Sequence, residues 1–266
     1  MKLYQDYIFD LYGTLVDIRT DEKKRLLWNK MSLFYGYYGA EYTPAELKTS
    51  YDVLVVEKEK NTGDREKDIR YQEKPDKAEA ERLYAHESYP EIPIEEVFRE
   101  LYTARGIEPS EELVIHTGQM FRALSTHHIR LYAGAKELLR QLHEQGRGVY
   151  LLSNAQRIFT ERELRYLQID DCFDGILISS DYGVKKPDER FFRILLEKYR
   201  IEPENALMIG NDLDSDIAGA RRMGMDTFYI HSGISPKTGR PSDADYTMMK
   251  MDLRSLCRRL LCDKED

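Results

Sequence analysis

A chain of 266 residues, 41% hydrophobic and 33% charged, has room for one large domain or two modest ones and enough apolar residues for a full core, which excludes a disordered ground state. Its net charge of −8 disfavours a nucleic-acid partner, because phosphate backbones are gripped by surplus Lys and Arg, yet a small anionic ligand needs only a local positive site. Asp6 and Asp10 interrupt any N-terminal signal-like stretch and no run reaches the ~18 apolar residues of a membrane span, so a soluble, cytoplasmic protein with no membrane partner is expected. Cys172, Cys257 and Cys262 are odd in number and lack framework spacing, which reads as reduced thiols.

Residues 4–10 (YQDYIFD) are aromatic and β-branched and end at an acid, as a buried strand does. From about 18 to 131 the chain reads as helical, polar and rich in Tyr. Leu26, Leu27, Met31, Leu33 and Phe34 have helical spacing before Gly36 and Gly39. The segment 43–60 opens with Thr43 as N-cap, Pro44 at the first helical position and Glu46 closing a capping box. Residues 92–106 form a helix ending on Gly106, and 110–128 another that begins at Ser110 with Glu111 and Glu112 in its first turn. The charge-rich stretch 57–91 reads as a solvated helix pair with a loose connection, and the tyrosines of this half as core packing and surface rather than a ligand cage.

After residue 132 the period changes. Amphipathic helices over 134–146, 161–168, 187–199 and 216–224 alternate with strands over 148–153, 175–180, 206–210 and 227–230. Such alternation implies a parallel sheet covered on both faces, joined by strand 4–10 despite the long insertion. The expected architecture is a doubly wound α/β core with a Rossmann-like parallel sheet, residues 1–16 and 132–266, carrying an inserted α-helical cap over 17–131.

In a doubly wound sheet ligands sit beyond the carboxyl ends of the strands. Four polar groups fall there in order: Asp10; Ser153 with Asn154; Lys186; and Asp212 with Asp216. A carboxylate fixed at a strand end can attack an electrophile and form a covalent intermediate. A Lys beside it keeps it ionised and neutralises an anionic substrate, and a Ser hydroxyl donates to phosphoryl oxygens. Asp10 with Asp212 suits Mg²⁺, which takes few protein carboxylates and completes its shell with water and phosphate. Asn211 could hold a metal-bound water or cap its loop, Thr14 supports the first loop, and Asp214 has no evident role. Arg157 reads as a surface helix residue as readily as a substrate contact. His127 and His128, at a helix end, diverge too far to share an ion.

The set resembles the haloacid dehalogenase superfamily, phosphatase-type members with a cap inserted after the first strand. Asp10-Leu11-Tyr12-Gly13-Thr14-Leu15 is similar to the family's D-x-D-G-T-[LV], Ser153 to its second motif, Gly183-Val184-Lys185-Lys186-Pro187 to G-x-x-K-P, and Asp212 with Asp216 to its acid pair. The resemblance implies a Mg²⁺-dependent phosphatase that cleaves a small phosphorylated metabolite through an aspartyl-phosphate on Asp10. It implies catalytic roles for Asp10, Lys186 and Ser153, substrate contacts from Ser153, Asn154 and Lys186, and a metal held by Asp10, the Tyr12 carbonyl, Asp212 and Asp216.

Tyr12 departs from that pattern, for it stands where the family has its acid/base Asp. Losing a positioned acid/base costs roughly 10²–10⁴ in rate. Three readings follow: a phosphatase that tolerates Tyr12, slow or confined to good leaving groups; a metal-independent 2-haloacid dehalogenase, which the resemblance also allows because halide needs no proton; and a non-catalytic phosphate- and Mg²⁺-binding protein. The crowding of Asp212, Asp214 and Asp216, and the lack of an insertion Arg at dehalogenase spacing, argue against the second. The intact Asp10 and Lys186 argue against the third.

Overall fold

The computed structural model describes residues 1–70, 91–237 and 242–261, with the backbone alone over 59–70. Most of the charge-rich stretch 57–91, and Cys262, lie outside the residues whose side chains are described. Strand β1 (Asp6–Phe9) leads into a tight loop and β2 (Val16–Thr20); helices α1 (Arg25–Tyr37), α2 (Pro44–Arg70), α3 (Ile94–Thr103) and α4 (Glu111–Ser125) follow, and β3 (Thr126–Leu131) closes the insertion. Thereafter come α5 (Ala135–Glu144), β4 (Gly148–Ser153), α6 (Arg157–Tyr166), β5 (Gly175–Ile178), α7 (Glu189–Tyr199), β6 (Ala206–Gly210), α8 (Ala218–Arg222), β7 (Asp226–Ile230), β8 (Tyr246–Met248) and α9 (Leu253–Leu261).

Six of these strands form one parallel sheet in the order β5-β4-β1-β6-β7-β8. Its central strands are apolar on both sides because helices cover both faces. Tyr7 and Phe9 pack with Leu138, Leu139 and Leu142 of α5 and Leu253, Leu256 and Leu260 of α9. Ile8, one residue out of phase, faces Phe191, Phe192 and Leu195 of α7 across the sheet. This is the expected doubly wound core with a helical insertion after its first strand.

The insertion has its own aromatic core. Trp28, Tyr35, Tyr51, Phe98, Tyr102 and Phe121 are buried together, and Phe159 of α6 joins them from the sheet-bearing part. Tyr35, Tyr51 and Tyr102 are core residues, while Tyr37 and Tyr38 are exposed. The capping box is formed: Thr43 N–H donates to Glu46 Oε2 (2.8 Å) and Glu46 N–H to Thr43 Oγ1 (3.2 Å). Ser110 Oγ likewise accepts from Leu113 N–H at 3.1 Å.

Two expectations are corrected. Residues 18–131 are not helical throughout, because β2 and β3 pair antiparallel, Val16 opposite Leu131 and Ile18 opposite Ile129, and make a two-stranded stalk for the insertion. The helix expected over 110–128 therefore stops at Ser125, and His127 and His128 lie on strand β3, where neighbours project to opposite faces. Arg130 and His128 both bind Asp17 across this ribbon, at 2.7 and 3.1 Å.

Candidate active site

β1 lies between β4, which follows it in the sheet-forming order, and β6, on its other side; the sheet changes winding direction at that strand, so its carboxyl end opens a crevice. Asp10 stands there, 8% exposed. Its N–H still donates to Ile209 O of β6 (2.9 Å), so the residue is fixed by the sheet. The chain then turns sharply at Gly13, whose φ of +89° favours glycine. A Cβ on Gly13 would lie 2.3 Å from the Asn211 amide, so the same glycine also lets the loop after β6 approach.

Lys186, 2% exposed, reaches under this loop. Its ammonium contacts Asp10 Oδ1 at 2.9 Å, Asp216 Oδ1 at 2.7 Å and Leu152 O at 2.6 Å, which occupies all three N–H groups. Lys185 stays half-buried, so the structure places Lys186 at the centre as the sequence did. Burial opposes the charge on Lys186, but Asp10 and Asp216 outweigh it and raise its pKa. Burial, countered by Lys186 and aided by Asp10, pushes Asp216 up to about 6. Two carboxylates around one ammonium leave this buried cluster net negative when all three are ionised.

The loop after β6 is held by its own carboxylates. Asp212 caps the π-helical turn over Leu213–Ile217, its Oδ1 accepting from Asp214 N–H (2.8 Å) and Ser215 N–H (3.2 Å). Asp216 braces the loop: its Oδ2 accepts from the N–H groups of Asn211 and Asp212, both at 3.0 Å. The side chain this loop sends toward Asp10 is Asn211. Its inward amide atom lies 3.3 Å from Asp10 Oδ2 and 3.1 Å from the Tyr12 carbonyl oxygen. With Oδ1 turned inward, Thr14 Oγ1 is 3.3 Å from it and 3.2 Å from Asp10 Oδ2. Three acceptors then face one another, an arrangement that either an amide reversal or a cation relieves. Magnesium bonds of about 2.1 Å in an octahedron put adjacent oxygens about 3.0 Å apart, close to these spacings, so hard oxygen donors of this set fit that ion.

Ser153, fully buried at the end of β4, has an Oγ with no hydrogen-bond partner among the described residues. An orphaned buried hydroxyl calls for an explanation, and a ligand oxygen supplies one. Asn154 instead grips Lys186: Nδ2 donates to Lys186 O at 2.9 Å and Oδ1 accepts from Lys186 N–H at 2.7 Å. Its amide positions the lysine segment, with both of its polar atoms on the Lys186 backbone. Arg157 is paired with Asp181 (Nε–Oδ1 2.8 Å), which fits its reading as a helix residue outside the centre. Asp214 is exposed.

The Tyr12 side chain points away from Asp10's partners. Its hydroxyl donates to Glu163 Oε2 and lies 3.0 Å from Thr160 Oγ1, both on α6. Arg122, from α4 of the insertion, holds Glu163 (Nε–Oε1 2.6 Å), and its guanidinium lies 5.6 Å from the Tyr12 ring centre. Burial and the Glu163 carboxylate push the Tyr12 phenol well above its ordinary range. Sequence reasoning missed Arg122, Thr160 and Glu163; their contacts with Tyr12 and with one another span up to 151 residues and leave no local pattern.

Fold and site together define an α/β protein with a carboxylate–lysine centre at the carboxyl edge of its sheet. Residues 7–224 match the family model of haloacid dehalogenase-like hydrolases, and the chain belongs to that family. It is 33% identical over 106 residues to a glyceraldehyde 3-phosphate phosphatase of Pyrococcus furiosus, covering 40% of this chain and 44% of that protein. It is 31% identical over 107 residues to a phosphoserine phosphatase of Thermus thermophilus, covering 40% and 43%. The chain thus spans less than half the length of these relatives. Its fold is that of YfnB from Bacillus subtilis, a HAD-hydrolase bound to magnesium (TM-score 0.52, 21% identity, 98% of this chain and 100% of that one). It is also that of the L-2-haloacid dehalogenase RSc1362 (TM-score 0.54, 16% identity, 98% and 100%). Among the described residues no helix is long and apolar enough to cross a membrane.

Proposed function

We propose that this chain is a Mg²⁺-dependent phosphohydrolase acting on a small phosphorylated metabolite, with Asp10 as nucleophile. The observation that carries this reading is the convergence of Asp10 Oδ2, the Tyr12 carbonyl and the Asn211 amide beside the buried Lys186. Asn211 thereby takes the metal-binding place the sequence gave to Asp212, and Asp216 acts through Lys186 and the loop N–H groups. A bound Mg²⁺ supplies positive charge where the cluster is net negative and a phosphate must approach. Lys186 holds Asp10 ionised and aimed; the Ser153 hydroxyl donates to a phosphoryl oxygen; Asp10 attacks phosphorus, and water later cleaves the aspartyl-phosphate. The phosphatase relatives support this class of substrate. We assign residues 1–16 and 132–266 to the catalytic core and 17–131 to a cap whose helices cover the crevice and exclude water.

Tyr12 favours a second reading, halide displacement from a 2-haloacid, which needs neither metal nor leaving-group proton. Phosphate release from acetyl phosphate and chloride release from 2-chloropropionate, each with Mg²⁺ and with EDTA, separate the two. Phosphate release lost in EDTA supports the phosphohydrolase; chloride release indifferent to EDTA overturns it.

A further inference from the structure

We infer that the Tyr12–Glu163–Arg122 contact takes the residue at the acid/base position out of proton transfer, and that the substrates are therefore phosphates with an acidic leaving group, acyl phosphates foremost, rather than alkyl esters. This rests on the phosphohydrolase reading and narrows it. The phenol has one proton, and it lies in the hydrogen bond to Glu163, with Thr160 on the other lone pair. Glu163 is itself tied down by two bonds from Arg122, Nε–Oε1 at 2.6 Å and Nη2–Oε2 at 3.3 Å. With side chains only 17% and 11% exposed, Arg122 and Glu163 form a nearly dry pair, and releasing the phenol would leave a buried carboxylate short of a donor. The Phe159 ring centre also lies 5.1 Å from the guanidinium. One contact thus ties three parts together: the nucleophile loop, helix α6 and insertion helix α4.

No substitute acid stands at Asp10 among the described residues. Its hydrogen-bonding neighbours are Lys186 and Thr14, with Asn211 beside them. Lys186 has each of its three protons on an acceptor. Asp216 has its oxygens on Lys186 and two backbone N–H groups. With an acyl phosphate the steps balance without a donor. The Asp10 oxygen forms its bond to phosphorus as the bond from phosphorus to the acyl oxygen breaks, and the electron pair leaves on a carboxylate. Water then adds to phosphorus, the bond to Asp10 breaks with its pair returned to the aspartate, and both water protons depart on dihydrogen phosphate. An alkyl ester would have to expel an alkoxide.

The test compares acetyl phosphate, p-nitrophenyl phosphate and glycerol 3-phosphate, with Mg²⁺, on the full chain and on Tyr12→Asp and Tyr12→Phe. In the native protein kcat/KM should fall with leaving-group basicity, glycerol 3-phosphate lying about 10²–10⁴ below acetyl phosphate. Tyr12→Asp should narrow that gap by raising turnover of the alkyl ester, and Tyr12→Phe should shift all three substrates by one common factor. Comparable rates on acetyl phosphate and glycerol 3-phosphate, or a Tyr12→Phe loss confined to glycerol 3-phosphate, overturn the inference and leave the phosphohydrolase standing. No phosphate from any of the three, with chloride released from 2-chloropropionate, overturns the phosphohydrolase reading itself.

Discussion

At the scale of single residues the centre is defined by which polar atoms are satisfied. Lys186 is saturated, Asp216 is saturated, and Ser153 Oγ is not. A buried hydroxyl without a protein partner costs stability that a hydrogen-bonding ligand recovers. Ser153→Ala should therefore leave the midpoint of urea unfolding unchanged or raise it, while KM for acetyl phosphate rises about 10-fold or more, the worth of a hydrogen bond to a charged oxygen. A large loss of stability with KM unmoved would show that the hydroxyl serves the fold instead. The chemistry at strand ends was legible in the sequence because it is local: an acid, a Ser and a Lys each close or follow an apolar run. The orientations of Asn211 and Asp212 were not. Adjacent residues differ in direction, and the π-helical turn that makes Asp212 a cap and sends Asn211 inward has no signature in composition.

At the scale of elements, the α/β alternation announced itself through apolar runs of strand length, and β1, β4, β5, β6 and β7 fall within a few residues of their expected places. The ribbon β2–β3 did not, since Thr126–Leu131 continues a helical pattern and becomes a strand only by pairing with Val16–Thr20 more than a hundred residues earlier. β8 is three residues long and too short to show a period. The amino end of the sheet carries a pH-dependent element. Burial raises the pKa of Asp6 in β1, helped by nearby Asp174 and opposed by a hydrogen bond from Tyr150. A carboxyl whose folded pKa lies above its unfolded one binds its proton more readily when folded, so its ionisation weakens the fold as pH rises past the ordinary value of 3.8. Asp6→Asn should raise the thermal midpoint at pH 7, and the gain should vanish below pH ~4. A gain that persists unchanged at acid pH would assign it to packing instead.

At the scale of the molecule, two bodies of apolar packing meet at α6. The sheet has apolar clusters on both faces, and the insertion has its aromatic cluster, joined to the core by the stalk, by Phe159 and by the Arg122–Glu163 pair. Trp28, the chain's sole tryptophan, lies in the insertion 5.8 Å from Phe121 between ring centres, so its fluorescence reports that body. Phe121→Ala removes a fully packed ring at a cost of about 3–5 kcal/mol and should lower the fluorescence midpoint more than the far-ultraviolet dichroism midpoint. Coincident shifts would make insertion and core one cooperative unit. The central claim, that Asp10 accepts a phosphoryl group with the help of a divalent cation, is tested most directly by acid-quenching the protein during turnover of acetyl phosphate and mapping the adduct by mass spectrometry. The account predicts one phosphoryl group on the peptide bearing Asp10 when Mg²⁺ is present, lost with EDTA and in Asp10→Asn. Phosphate released at full rate in EDTA, or an adduct that persists in Asp10→Asn, would contradict it.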